Sequence, residues 1–155
     1  MTQIVKAPTR RKWTLAELDR LSTHGFFDEH EHVELIGGEL ITMAPKDARH
    51  ENVRGDLADW FVERLPPGMK LRVELGWRPN GATYLEPDIL IATAQSNMPL
   101  VHPDRVALII EVAKSSLVYD HGLKAEAYAA LGIADYWVIN ACGATIRMSL
   151  GRHSG

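Results

Sequence analysis

Two carboxylates, Asp88 and Glu111, fall inside consecutive apolar stretches, YLEPDILIA and VALIIEVAKSS, and a lysine, Lys124, follows at the start of the next expected helix in YDHGLKAEAY. A charge inside an apolar strand is costly unless a cation or hydrogen-bond donor meets it. A divalent ion would meet both acids if the two strands lie side by side. Magnesium takes oxygen ligands, keeps several waters, and needs only one or two protein carboxylates beside a substrate phosphate. Such an ion acidifies water and offsets phosphate charge, so the pattern points to metal-assisted chemistry on a phosphate ester. Lys124 stands one turn into a helix whose N-terminal end carries partial positive charge, where an ammonium can orient an attacking water or stabilise a transition state. The competing readings are a solvated helix lysine and strand-edge acids paired with Lys or Arg.

Three other groups invite chemistry less strongly. In DEHEHVE, His30 and His32 alternate with Asp28, Glu29, Glu31 and Glu34, donors that suit zinc. The spacing matches no recurrent zinc module, and mixed charge between a helix and a hairpin reads as a solvated connector. His50 lies beside an apolar helical stripe and serves either as a site neighbour or as a packed or capping histidine. Asp120 reads as a helix N-cap.

The elements that must position these residues follow from periodicity and punctuation. Thr14 and Glu17 form a capping-box pattern ahead of Leu15, Leu18 and Leu21, predicting a helix over about 14–23. HVELIGGELITM predicts a β-hairpin turning at Gly37 and Gly38. Val53, Leu57, Trp60, Phe61 and Leu65 recur at helical spacing over 47–65, and Pro66, Pro67 and Gly68 stop the helix. Residues 69–77 alternate strictly and predict one strand, Pro79 to Gly81 a turn, and 83–92 a returning strand that carries Asp88. After a loop over 93–105, VALIIEVA predicts a central strand covered on both faces. A helix from Asp120 to Leu131, closed by Gly132, leads to the strand DYWVIN, which favours a parallel pair with VALIIEVA. ATIRMSL is a last, weak strand. The aromatic residues read as core.

At 155 residues the chain has the length of one domain, and 46% hydrophobic with 24% charged residues is ordinary for a globular protein. The expected organisation is a loose basic arm over 1–13, carrying Lys6, Arg10, Arg11 and Lys12, and a single domain over 14–155. One cysteine, Cys142, forms no internal disulfide, and the N-terminus lacks a secretory pattern, so a cytoplasmic location without membrane attachment is expected. A net charge of −3 argues against a tight nucleic-acid binder, less so against a nuclease whose acidic ligands are neutralised by bound cations.

The succession EPDILIA, LIIEVAKSS, then Asp120, Lys124 and Tyr128 ahead of LGI and DYWVIN, resembles the Uma two family of restriction endonuclease domains, within the PD-(D/E)XK nuclease superfamily. VELIGGELITM and the helix opening at His50 are similar to the family's first elements, so the resemblance covers residues 14 to 140. It implies a mixed β-sheet flanked by helices, in the order αβββαβ, preceded by a short helix and a hairpin. It also implies phosphodiester hydrolysis in DNA with Mg2+ or Mn2+. Asp88 and Glu111 match the motif acids, and Glu34 matches a glutamate placed before the hairpin turn. Lys124 matches a helix lysine that stands in for the motif lysine usually found two residues after the glutamate. That position is Ala113 here, and Lys114 is a reserve candidate. His50 matches a histidine at the helix start. Relatives continue with another strand pair after DYWVIN, so the domain reads as C-terminally shortened, with an edge open to a second copy as a homodimer. The alternative reading is a catalytically inactive module of this fold that acts through binding or self-association.

Overall fold

The computed structural model describes residues 9–113, 120–143 and 145–150, and of residues 120, 121 and 145–150 the backbone alone. Helix α1 (Leu15–Thr23) starts at the expected capping box: the Thr14 hydroxyl accepts from the Glu17 N–H, and the Glu17 carboxylate accepts from the Thr14 N–H at 2.9 Å. Its buried Leu18 packs on Val33 and Leu35 of the hairpin. That hairpin, β1 (His32–Ile36) and β2 (Glu39–Met43), turns on Gly37 and Gly38, both at positive φ (58° and 85°), as a two-residue turn with the twist of its strands requires. The Lys12 ammonium donates to the Gly37 carbonyl and the Trp13 N–H to that of Gly38, each at 2.8 Å; residues 1–8 of the expected arm lie outside the described residues. Helix α2 (Ala48–Val62) is capped by Asp47, whose carboxylate accepts from the His50 N–H at 3.0 Å.

The two long strands expected next are each cut in two. The chain runs through β3 (Met69–Val73), leaves that sheet, enters another as β4 (Trp77–Asn80), returns as β5 (Thr83–Leu85), and rejoins the first sheet as β6 (Ile89–Thr93). Asp88 therefore stands in a connector just before β6, not inside a strand. The two breaks face each other, the Glu74 N–H donating to the Asp88 carbonyl at 3.2 Å. Glu74 adopts φ 48°, which no strand continues through. At Gly76 a Cβ would lie 2.7 Å from the Tyr84 hydroxyl, so only glycine permits that approach. Pro87 brings no N–H to a ladder. Alternation alone misses such a break, because the period of two runs on across it.

The smaller sheet has the order β2-β1-β5-β4 and the larger β3-β6-β7-β8-β9, with β7 (Val106–Ala113), β8 (Asp135–Asn140) and β9 (Thr145–Leu150). Strands β7 and β8 are parallel and the remaining pairs antiparallel. The crossover between β7 and β8 contains a wide π-helical turn at Asp120–Lys124 and helix α3 (Ala125–Ala130), with Gly132 at φ 79° after it. As expected, β7 is central and covered on both faces. Leu108, Ile110 and Val112 pack with Ile89 and Ile91 against Val53, Leu57 and Phe61 of α2. Ile109 and Ala113 face Trp77, Leu90, Tyr128, Tyr136 and Val138. The Trp77 indole N–H donates to the Val101 carbonyl at 2.8 Å, anchoring the 93–105 loop. The architecture is the mixed α/β order expected, with the small sheet's β4 and β5 inserted between the first two core strands. Among the described residues no helix is long and apolar enough to cross a membrane.

Candidate functional site

Strands β6 and β7 pair antiparallel with Ile89 opposite Ile110, and one step beyond that pair come Asp88 and Glu111. The ladder ends there. Asp88 continues it with its side chain: its Oδ2 accepts from the Val112 N–H at 2.8 Å, while its own N–H points at Glu111 Oε2 at 3.4 Å. Both acids are buried, 2% and 3% exposed, so each needs counter-charge from the protein or from something bound.

Glu111 finds its counter-charge in Lys124. The Lys124 ammonium donates to Glu111 Oε1 at 2.8 Å and lies 3.1 Å from Glu34 Oε1. At 2% exposed it is no solvated helix lysine. The Tyr128 hydroxyl, one helical turn further on, also donates to Glu111 Oε1 at 2.9 Å. Burial first, then the Glu111 and Glu34 charges, push the Tyr128 phenol well above its usual range, so it stays a donor. Glu34, brought from β1, accepts from the Glu86 N–H at 2.9 Å.

Asp88 is held from the other side. Its Oδ2 lies 3.0 Å from His50 Nε2, and its Oδ1 accepts from the Lys46 ammonium at 2.7 Å. Burial alone would raise its carboxyl; the His50 hydrogen bond and the Lys46 and His50 charges outweigh it and hold the group far below the usual carboxylate range. His50 is pulled down by burial but raised overall by Asp88. Lys46 is likewise opposed by burial and raised by Asp88 and Glu74, whose Oε1 it meets at 2.7 Å. Arg54 also pairs with Glu74. Glu34, Lys46, His50, Asp88, Glu111 and Lys124 line one pocket, together with Pro45 and Val112.

The structure thus brings together Asp88, Glu111, Glu34, Lys124 and His50, the five residues singled out from sequence. Sequence reasoning missed Lys46, Glu74 and the Tyr128 hydroxyl. Tyr128 carries a usable signal, its four-residue spacing from Lys124 on one helix, whereas Lys46 sits in a loop between Pro45 and Asp47 with no pattern around it. Of the zinc-like segment, His32 lies 3.1 Å from Glu86 at the pocket rim, and among the described residues no three His, Cys, Asp or Glu side chains converge as a ready metal cage. Ala113 is fully buried in the apolar cluster around Tyr128. Lys114 and the Asp120 side chain lie outside the described residues.

No curated protein matches the chain. Among solved structures, a crystal structure described as "a putative nuclease belonging to DUF820" from Anabaena variabilis ATCC 29413 superposes with a TM-score of 0.66 at 16% identity, covering 91% of this chain and 81% of that one. At that identity the likeness establishes the fold alone, a mixed α/β domain. The model of the Uma2 family, described as "Putative restriction endonuclease", matches residues 15–149, and the chain belongs to this family.

Proposed function

We propose that the chain is a metal-dependent endonuclease that hydrolyses phosphodiester bonds in DNA. One observation carries the reading: two buried carboxylates line one pocket at the end of the β6–β7 ladder, with a buried lysine against one of them. Asp88 and Glu111 would hold Mg2+ or Mn2+, with Glu34 assisting. Their donors are all carboxylate oxygens, the set a hard divalent ion selects, and with no three-residue cage among the described residues the remaining ligands would be water and substrate. When bound, the ion supplies charge neutralisation at the phosphate and a more acidic water. The chain's own residues supply the rest. Val112 N–H and His50 fix the Asp88 carboxylate, and Tyr128 fixes that of Glu111. Lys124 presents an ammonium beside both Glu111 and Glu34, where it can hold a phosphate oxygen or orient a water.

Supercoiled plasmid incubated with the protein and magnesium or manganese is expected to be nicked or cut, and EDTA to stop it. Asp88→Ala, checked as folded by circular dichroism, is expected to be slower by about a hundredfold or more, because even second-sphere partners of a metal are worth roughly 10- to 100-fold. Undiminished cleavage by that variant sinks the reading. An inactive binding module is favoured by one feature, that Asp88 and Glu111 each already have a protein cation. Metal titration separates the two: a specific ion must raise the melting temperature of the native chain, and this rise must vanish in Glu111→Ala.

A further inference from the structure

We propose that Lys46 is an exchangeable counter-cation, competing with a divalent ion for Asp88 and retained by Glu74 when displaced. The inference rests on Asp88 being a metal ligand. The two oxygens of Asp88 are used differently. Oδ2 is committed to the Val112 N–H and His50, both held by regular structure, so Oδ1 is the oxygen left to a metal, and the Lys46 ammonium sits on it at 2.7 Å. The same ammonium lies 2.7 Å from Glu74 Oε1, so it can leave Asp88 and keep a carboxylate.

Burial assigns the mobile partner. The Asp88 side chain is 3% exposed, whereas those of Lys46 and Glu74 are 26% and 38% exposed, so the acid is fixed and the ammonium stands at the solvent edge. Glu74 is itself anchored, by Arg54 and by the backbone bond from its N–H to the Asp88 carbonyl at the break between the sheets. Lys124 is the contrasting case: it is 3% exposed and shared by two acids, Glu111 and Glu34, away from the solvent edge. Exchange of Lys46 for a bound ion never leaves Asp88 uncompensated in the interior, the state that a buried carboxylate tolerates least. Its cost is a lowered apparent metal affinity, in proportion to the fraction of time Asp88 is vacant.

Manganese chloride titrated into the full chain by isothermal calorimetry reads this exchange without any cleavage assay. Lys46→Met and Lys46→Gln are each expected to bind manganese about tenfold more tightly than the wild type, the factor for an occupant present roughly nine-tenths of the time. Arg49→Met removes an exposed cation at the start of α2 and is expected to leave the affinity within about twofold, since solvent and salt screen it. If both Lys46 variants bind no more tightly than wild type, or Arg49→Met tightens binding as much as they do, the exchange is overturned and the metal site stands. If wild type binds no manganese, or Asp88→Asn binds it as well as wild type, the metal assignment fails and the exchange with it.

Discussion

Ile110 and Glu111 are neighbours on one strand, both buried at 0% and 3% exposure, and they are held in place by opposite physics. Ile110 faces α2 among Ile89, Ile91, Leu108 and Val112, where any apolar neighbour of fitting volume contributes and no single contact is indispensable. Glu111 faces the pocket, where it depends on donors at hydrogen-bond distance, Lys124 and Tyr128 among them. The apolar face should therefore fail gradually, in proportion to volume lost, and the polar face abruptly, when one partner goes.

The largest expected effect tests the abrupt side. Lys124→Met leaves Glu111 and Glu34 without their shared ammonium and should cost about 3–5 kcal/mol in urea denaturation, the usual penalty for breaking a buried pair. Adding Glu111→Leu should recover part of this, so the double variant costs less than the two single losses summed, with a coupling of about 0.5–3 kcal/mol. Simple additivity would mean that the lysine and the acid do not depend on each other. On the apolar side, Ile110→Val should cost only about 0.5–1.5 kcal/mol, measured in the same way. A loss as large as that of Lys124→Met would erase the contrast.

The gentlest test is the pH dependence of the Asp88 and His50 pair. Asp88 has a folded pKa below its unfolded value of about 3.9, so its contribution is present above that value and fades as pH falls through the folded pKa. His50 has a folded pKa above its unfolded value of about 6.5, so its contribution is full below 6.5 and fades as pH rises through the folded pKa. Both act fully between about pH 4 and 6.5. Urea midpoints of the wild type should decline on either side of that window. Asp88→Asn should flatten both arms, His50→Gln should flatten the alkaline arm, and Ile110→Val should keep both. An alkaline arm that persists in His50→Gln would assign that slope to other groups.

Much of the scaffold was legible because its signals are local. Thr14 with Glu17 and Gly37 with Gly38 each state a conformation within a few residues, whereas the helix expected over 47–65 ends at Val62. The run VALIIEVA likewise announced a strand buried on both faces, and the structure agrees. The split of 69–77 and 83–92 was hidden, since φ at Glu74 and the approach of Tyr84 to Gly76 depend on a second sheet that alternation does not report. Lys46 was hidden for a related reason. A loop lysine gains meaning only when Asp88 and Glu74, far apart in sequence, arrive on either side of it.

The sequence by itself determined which residues are acids in apolar surroundings and the order of the core elements, because composition and short-range sterics act along the chain. Tertiary structure alone decided that Asp88 stands opposite Glu111 at the end of a ladder, that Lys124 is buried between two glutamates, and that Lys46 covers the one Asp88 oxygen left open. Counter-charge acts over a few ångströms in space, and Lys46, His50 and Lys124 supply it here to acids that the chain alone keeps apart.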